Sequence, residues 1–240
     1  MRLIIKIEPS EDFSADVVYK HTIQGFIYEC LRDVDVDEDA NFHSAKRFKF
    51  FCFSDMFPGG DFVEGEAKRF IVSSPNVGLM GRLFEGVRAK KDAHIGAYKI
   101  RIKEVKKVKV PLKNQFISGS PIVLYKDSRR NLYYSFRRDG DLDFFLARLK
   151  DNAVKKYEAF YGEKLTIEDE EPLFDRLRFN KEVAVKNVKG GKEFIIIGSV
   201  WYLLEKFEIS EEMRRFYWFL MECGLGEKNS MGFGFVNPVR

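Results

Sequence analysis

Glutamine occurs only twice in the 240 residues, at Gln24 and Gln115, and histidine and cysteine occur three times each. The cysteines, Cys30, Cys52 and Cys223, lie far apart with no C-x-x-C spacing. That excludes a disulfide framework or a zinc site read from spacing, and it suits a reducing cytosol. No apolar run approaches the length of a membrane span, and Arg2 and Lys6 interrupt the opening run too early for a signal peptide, so a cytoplasmic protein is expected. Scarce Gln beside plentiful Lys and Glu is a balance found in heat-adapted proteins. No low-complexity tract or Pro/Gly/Ser-rich linker is present. A large charge excess is missing too: 41 Lys and Arg against 37 Asp and Glu leave a net charge of +4. Any polyanion site must therefore come from local patterning.

What the chain has in abundance is core material. Hydrophobic residues make up 45% and aromatics 15%, with 24 Phe, and the length suits one large domain or two ordinary ones. Leu3, Ile5 and Ile7 alternate with Arg2, Ile4 and Lys6, predicting a strand closed by Pro9. Ile23, Phe26, Ile27, Cys30 and Leu31 fall at the spacing of one buried helix face. Two strand-like runs, Phe48 to Phe53 and Lys68 to Ser73, flank the turn signal Pro58-Gly59-Gly60. A second helix is predicted over about Val77 to Lys90, despite Gly78, Gly81 and Gly86, and a last strand over Tyr98 to Val110. The order is β-α-β-β-α-β, a ferredoxin-like unit covering residues 1–110.

Residues 111–240 repeat the plan less regularly. Strand material lies at Phe116 to Lys126 and Leu132 to Phe136, followed by a helix from about Asp143 to Tyr161 and strands at Arg178 to Val188 and Phe194 to Leu204. A helix opens at Ser210, a suitable N-cap, with Glu211 and Glu212 in its first turn. Met213, Phe216, Tyr217 and Leu220 form its expected stripe. Gly232 to Val236 supplies the last strand. The expected fold is α+β, two tandem ferredoxin-like (RRM-like, βαββαβ) domains.

The most specific pattern is Gly224-Leu225-Gly226-Glu227-Lys228-Asn229-Ser230-Met231-Gly232-Phe233-Gly234-Phe235, between a helix and a last strand. Glycines at Gly224, Gly226, Gly232 and Gly234 allow positive φ and close approach, so the loop could aim N–H groups at a phosphate while Lys228 adds charge. The plainer reading is a Gly-capped helix followed by a glycine-weakened strand. Gly232 to Val236 also resembles the RNP1 core of RRM domains, but that motif sits on a third strand and this run is read as the last.

Duplicated ferredoxin-like halves with a glycine-rich loop before the last strand resemble the RAMP superfamily, and over essentially the whole chain the "Cas six" type of CRISPR-associated endoribonuclease. The resemblance implies metal-independent cutting by a Tyr on the first helix, a His shortly after it and a Lys leading into the next strand. This sequence offers Tyr28, His43 and Lys49, and the segments Gln24 to Tyr28 and His43 to Ser54 are similar to those of family members. Read from the residues alone, Tyr28 lies about 130° around the helix from its buried stripe. Lys49 falls opposite Phe48 and Phe50 in strand alternation, and His43 sits in a polar loop. Singly, each also reads as a surface Tyr, a loop His or a solvated Lys. Together they suit cleavage by the neighbouring 2′-hydroxyl, with His as the proton carrier. No spacing of His, Cys, Asp or Glu suggests a metal site, and no cofactor is expected.

Basic clusters supply an expected RNA track: Lys99, Arg101 and Lys103 on one strand face, then Lys106, Lys107 and Lys109, with Arg129-Arg130, Arg137-Arg138 and Arg176/Arg178 in the second half. Most such clusters are merely solvated faces. The resemblance implies single-stranded or weakly structured CRISPR repeat RNA as the partner. Hand-over of the product to a CRISPR effector complex and a homodimer are compatible with it. Two alternatives stay open. One is a feeble or inactive homologue that only binds repeat RNA, since Asp33, Asp35, Asp37, Glu38 and Asp39 precede His43 and would repel phosphates. The other is a structural RAMP subunit of an effector complex.

Overall fold

The computed structural model describes residues 1–32, 48–168, 171–189 and 192–239. They form two compact units, one of residues 1–110 with 230–232, the other of residues 111–229 with 233–240.

In the first unit, β1 (Arg2–Pro9), β2 (Cys52–Phe53), β3 (Lys68–Ser73), β4 (Asp92–Ile95) and β5 (Tyr98–Val108) form one antiparallel sheet in the order β2-β3-β1-β5-β4. Helix α1 (Lys20–Arg32) follows β1 and α2 (Val77–Ala89) follows β3. The arrangement is ferredoxin-like, with β4 added at the edge. Its core joins Leu3, Ile5 and Ile7 of β1 to Ile23, Phe26, Ile27, Cys30 and Leu31 of α1 and Leu79, Leu83 and Val87 of α2. All five positions that the helical spacing picks out on α1 are therefore inside. The Asn76 side chain caps α2 by accepting from the Leu79 N–H at 2.9 Å, which offsets the helix-weakening glycines.

The run from Phe48 is the first departure from expectation. Only Cys52 and Phe53 pair with β3, against Ser73 and Val72. Phe50 takes φ 50°, a left-handed conformation that breaks strand alternation. Phe51 is buried at 1% exposure while Phe48 stays at the surface. The strand alternation that set Lys49 opposite its Phe neighbours thus does not exist. Lys49 lies in irregular chain leading into β2.

The second unit pairs β6 (Gln115–Ser118), β9 (Arg176–Lys189), β10 (Lys192–Glu205) and β11 (Val236–Pro238) in the order β11-β6-β10-β9, again ferredoxin-like. Helices α3 (Leu142–Tyr161) and α4 (Arg214–Cys223) complete the unit, and the hairpin β7 (Tyr125–Asp127) and β8 (Leu132–Tyr133) is inserted between β6 and α3. The strand expected to run unbroken from Phe116 to Lys126 stops at Ser118. There the Gly119 and Ser120 N–H groups both donate to Phe235 O, at 2.8 and 3.2 Å, and Pro121 has no N–H to give. Ser210 does not cap α4. A turn bonded from Met213 N to Ser210 O intervenes, and the helix starts at Arg214 with no side-chain cap. The last strand begins at Val236, because Gly232 and Gly234 have φ 84° and 71° and cannot extend it. Cys30, Cys52 and Cys223 are all buried, and none of them is in a disulfide.

Candidate functional site

Helix α1 carries Lys20, Gln24 and Tyr28 at i, i+4 and i+8, a polar stripe beside its buried one. Against this stripe lies the segment Ser230–Gly232 of the same unit. Lys20, 9% exposed, donates to Gly232 O at 2.8 Å and pairs with Asp55. Gln24 Nε2 reaches Ser230 Oγ at 3.5 Å. The Tyr28 phenol is hydrogen-bonded to the side chains of Ser230 and Gln24. Burial raises its pKa above the ordinary phenol value, and these two bonds pull it partly back. Its ring stands edge-on to Phe51, with centroids 6.0 Å apart, so the chain two residues after Lys49 runs beside Tyr28. His43 and the acidic run 33–39 lie outside the described residues. Among the described residues, no group of three or more His, Cys, Asp or Glu is placed to hold a metal ion. None of their helices is long and apolar enough to cross a membrane.

The four glycines of the loop are buried, with φ of 87° at Gly224, 67° at Gly226, 84° at Gly232 and 71° at Gly234. Two of their N–H groups are engaged by backbone carbonyls of the second unit. Gly224 N donates to Leu220 O at 2.9 Å, and Gly234 N donates to Pro121 O at 2.7 Å. The need for glycine is steric. A Cβ at Gly234 would stand 1.8 Å from Leu225 O, one at Gly226 2.4 Å from Val123 O, and one at Gly232 2.3 Å from the Phe53 ring. The loop interior is organised by Lys156 of α3, 2% exposed. It donates to Gly224 O at 2.6 Å, Gly226 O at 3.0 Å and Asn229 Oδ1 at 2.9 Å. Asn229 in turn donates to Leu225 O at 2.9 Å and Phe233 O at 3.1 Å. Lys228, at φ 60°, turns the other way and sets its ammonium 5.4 Å from the Tyr125 ring centroid.

Lys99, Arg101 and Lys103 project together from β5 and are exposed. Each has a carboxylate nearby: Asp92 lies 3.6 Å from Lys99, and Glu8 lies 3.5 Å from Arg101 and 3.2 Å from Lys103. Lys107 points to the other face, over the Phe84 ring. Arg129 and Arg130 occupy the turn between β7 and β8, where both N–H groups donate to Asp127 Oδ1. Arg178 stacks over Tyr202 at 5.4 Å.

Tyr28 was readable from its place on the helical wheel. Gln24, Ser230 and Lys20 were not singled out, although the i, i+4, i+8 polar stripe beside an apolar one was a usable signal. Lys156 carried another: it falls on the stripe of Leu149, Ala153 and Tyr157, where a charge must be buried and paired.

Residues 101–238 match the family model described as CRISPR associated protein Cas6, C-terminal. Over its whole length the chain is 47% identical to the full length of CRISPR-associated endoribonuclease Cas6 2 of Methanocaldococcus jannaschii. It is 29% identical to Cas6 1 of the same organism over 98% of this chain and 92% of that protein. A solved structure from Pyrococcus furiosus, described as that of a Cas6-related gene, superposes with a TM-score of 0.74 at 20% identity, covering 100% of this chain and 98% of the other. Another, described as a RAMP protein binding different RNA substrates, gives 0.71 at 21% identity over all of both chains. Two tandem ferredoxin-like units define the class of fold, which the chain shares with these solved structures. Within that class, the chain belongs to the Cas6 family of CRISPR-associated proteins.

Proposed function

We infer that this protein binds single-stranded or weakly structured CRISPR repeat RNA in the cytoplasm and cuts it within the repeat, without a metal ion, to release guide RNAs. The observation that carries the reading is the end-to-end similarity, at 47% identity, to a protein named a CRISPR-associated endoribonuclease. In this reading the ribose 2′-oxygen attacks the adjacent phosphorus, the bond from phosphorus to the 5′-oxygen breaks, and the 2′-proton leaves as another reaches the 5′-oxygen. His43 is the principal proton carrier, Tyr28 its acid-base partner or orienter, and Lys49 the cation stabilising charge on the phosphate. The products are a 2′,3′-cyclic phosphate and a 5′-hydroxyl. Lys99, Arg101, Lys103, Arg129, Arg130 and Lys228 contact the RNA backbone. The loop of Gly224, Gly226, Gly232 and Gly234 also touches the RNA, and its glycines give it the shape that this contact needs. The cut RNA then passes to a CRISPR effector complex.

The test is a labelled repeat incubated in EDTA. Cleavage is expected there, abolished by a 2′-deoxy substitution at the cut site and slowed by about 10²–10⁴-fold in His43→Ala. The acidic residues Asp33 to Asp39, just before His43, favour a second reading as a repeat-binding protein without useful catalysis. Tight binding in EDTA with the RNA left whole across pH 6 to 9 is the outcome that selects it.

A further inference from the structure

Three side chains meet where α1 faces the segment Ser230–Gly232, and only one of them has a role so far. Gln24 is one helical turn from Tyr28, and Ser230 arrives from a point more than 200 residues along the chain. Gln24 Nε2 lies 3.5 Å from Ser230 Oγ, and both side chains bond the Tyr28 phenol. Nothing about packing requires this. Gln24 and Ser230 are only half-buried, on a helix whose apolar stripe is already complete, so either could have been left to water. The segment that delivers Ser230 is itself pinned. Lys20, one turn before Gln24, holds Gly232 O at 2.8 Å. A Cβ at Gly232 would come within 2.3 Å of the Phe53 ring, so the backbone there is pressed against β2. A serine carried on a fixed backbone and a glutamine carried on a helix thus converge on one phenol oxygen.

A tyrosine side chain can swing about χ1 and χ2, and a phenol held by two hydrogen bonds in a half-buried site loses most of that freedom before any ligand arrives. We propose that Gln24 and Ser230 are positioning residues for RNA cleavage, fixing the Tyr28 hydroxyl in place through the hydrogen bonds they share with it. The proposal rests on the reading of Tyr28 as a catalytic group. It adds a role for the segment Ser230–Gly232 of the first unit: that segment presents a hydroxyl to the tyrosine.

The direction of the electrostatic effect follows from the same bonds. Ser230 and Gln24 lower the phenol pKa against the rise that burial causes, so losing either bond moves the Tyr28 titration to higher pH.

The experiment compares wild-type protein, Ser230→Ala, Ser230→Thr, Gln24→Leu and Tyr28→Phe, with ring-labelled tyrosine followed by NMR through an alkaline titration in the absence of RNA. Single-turnover cleavage and RNA affinity are measured in parallel. The Tyr28 resonance, assigned by its loss in Tyr28→Phe, is expected to titrate at higher pH in Ser230→Ala and in Gln24→Leu. In Ser230→Thr, which keeps a hydroxyl, it should return towards the wild-type position. Single-turnover rates should fall roughly three- to tenfold in the first two variants, the worth of one hydrogen bond, with RNA affinity unchanged. An unmoved Tyr28 titration in both variants overturns the proposal outright. If Tyr28→Phe is slow while Ser230→Ala and Gln24→Leu cleave at the wild-type rate, the positioning role falls and the catalytic reading of Tyr28 stands. If Tyr28→Phe cleaves as fast as wild type, that reading falls and takes the proposal with it.

Discussion

The Lys156 ammonium holds the carbonyl oxygen of Gly224 at 2.6 Å, inside the second unit, where the lysine is only 2% exposed. A buried cation of this kind is tolerable because three oxygens replace its water, those of Gly224, Gly226 and Asn229. Lys156→Met keeps the stem and removes the charge, leaving three acceptors without their donor. We expect a loss of about 3 kcal/mol in stability, read as a lower urea midpoint with an unchanged slope. A midpoint within error of wild type would mean that water enters and takes over the three bonds.

Gly234 and Gly162 share the same backbone angle, φ 71°. A Cβ at Gly234 would stand 1.8 Å from Leu225 O, whereas one at Gly162 meets nothing within 4 Å. Gly162→Ala should therefore cost only the left-handed penalty, about 1 kcal/mol. Gly234→Ala must displace backbone as well and should cost about 4 kcal/mol or more. Equal effects in thermal or urea unfolding would show that conformation, not space, fixes glycine at both positions.

Glu8 stands between Arg101 and Lys103, at 3.5 and 3.2 Å, with its side chain 15% exposed. If this face meets RNA phosphates, removing Arg101 and removing Glu8 should act in opposite directions. Arg101→Ala should weaken binding and flatten the plot of log affinity against log salt by about 0.7, one released counterion. Glu8→Gln should strengthen binding by freeing two cations. A salt-independent affinity in wild type would remove this face from the RNA track.

Asp139 should make the second unit's stability depend on pH. Burial would raise its pKa, but hydrogen bonds from Lys126, Arg138 and the Ser135 N–H prevail and hold it at about 2. A carboxyl with a folded pKa below its unfolded value of about 3.9 contributes stability above that pH and loses it as the pH falls through 2. The difference in urea midpoint between wild type and Asp139→Asn should be full at pH 6 and shrink steadily between pH 4 and pH 2. A constant difference over that range would mean that hydrogen-bond geometry, not charge, is what Asp139 provides.

Periodicity revealed most of the fold because each buried face is a local pattern. The spacing of Ile23, Phe26, Ile27, Cys30 and Leu31 determines which side of α1 is inside, with no need of a partner. It failed where a single backbone angle decides. Phe50 at φ 50° cuts a six-residue strand to two, and Gly232 and Gly234 delay the last strand to Val236. The strand Asp92–Ile95 was missed because four residues paired to β5 carry too little alternation to be heard. The candidate site was legible only in part for another reason. Tyr28 announces itself by its angle on the helix, but Ser230 acquires meaning from a contact across 206 residues with Gln24. The glycine pattern was legible, but its steric reason was not: the N–H groups of Gly224 and Gly234 bond Leu220 O and Pro121 O, and only distances could reveal that.

The three thiols, on α1, β2 and α4, are at most 1% exposed, and burial pushes the Cys223 thiol pKa up, with nearby Lys156 holding it back in part. Thiolates are the reactive species, so a thiol-reactive dye can reach these sulfurs only when the structure around them opens. The protein thus carries its own clocks. With two of the three cysteines replaced by alanine or serine, the labelling rate of the third times the opening of one element, and Cys223 times the helix that leads into the glycine-rich loop.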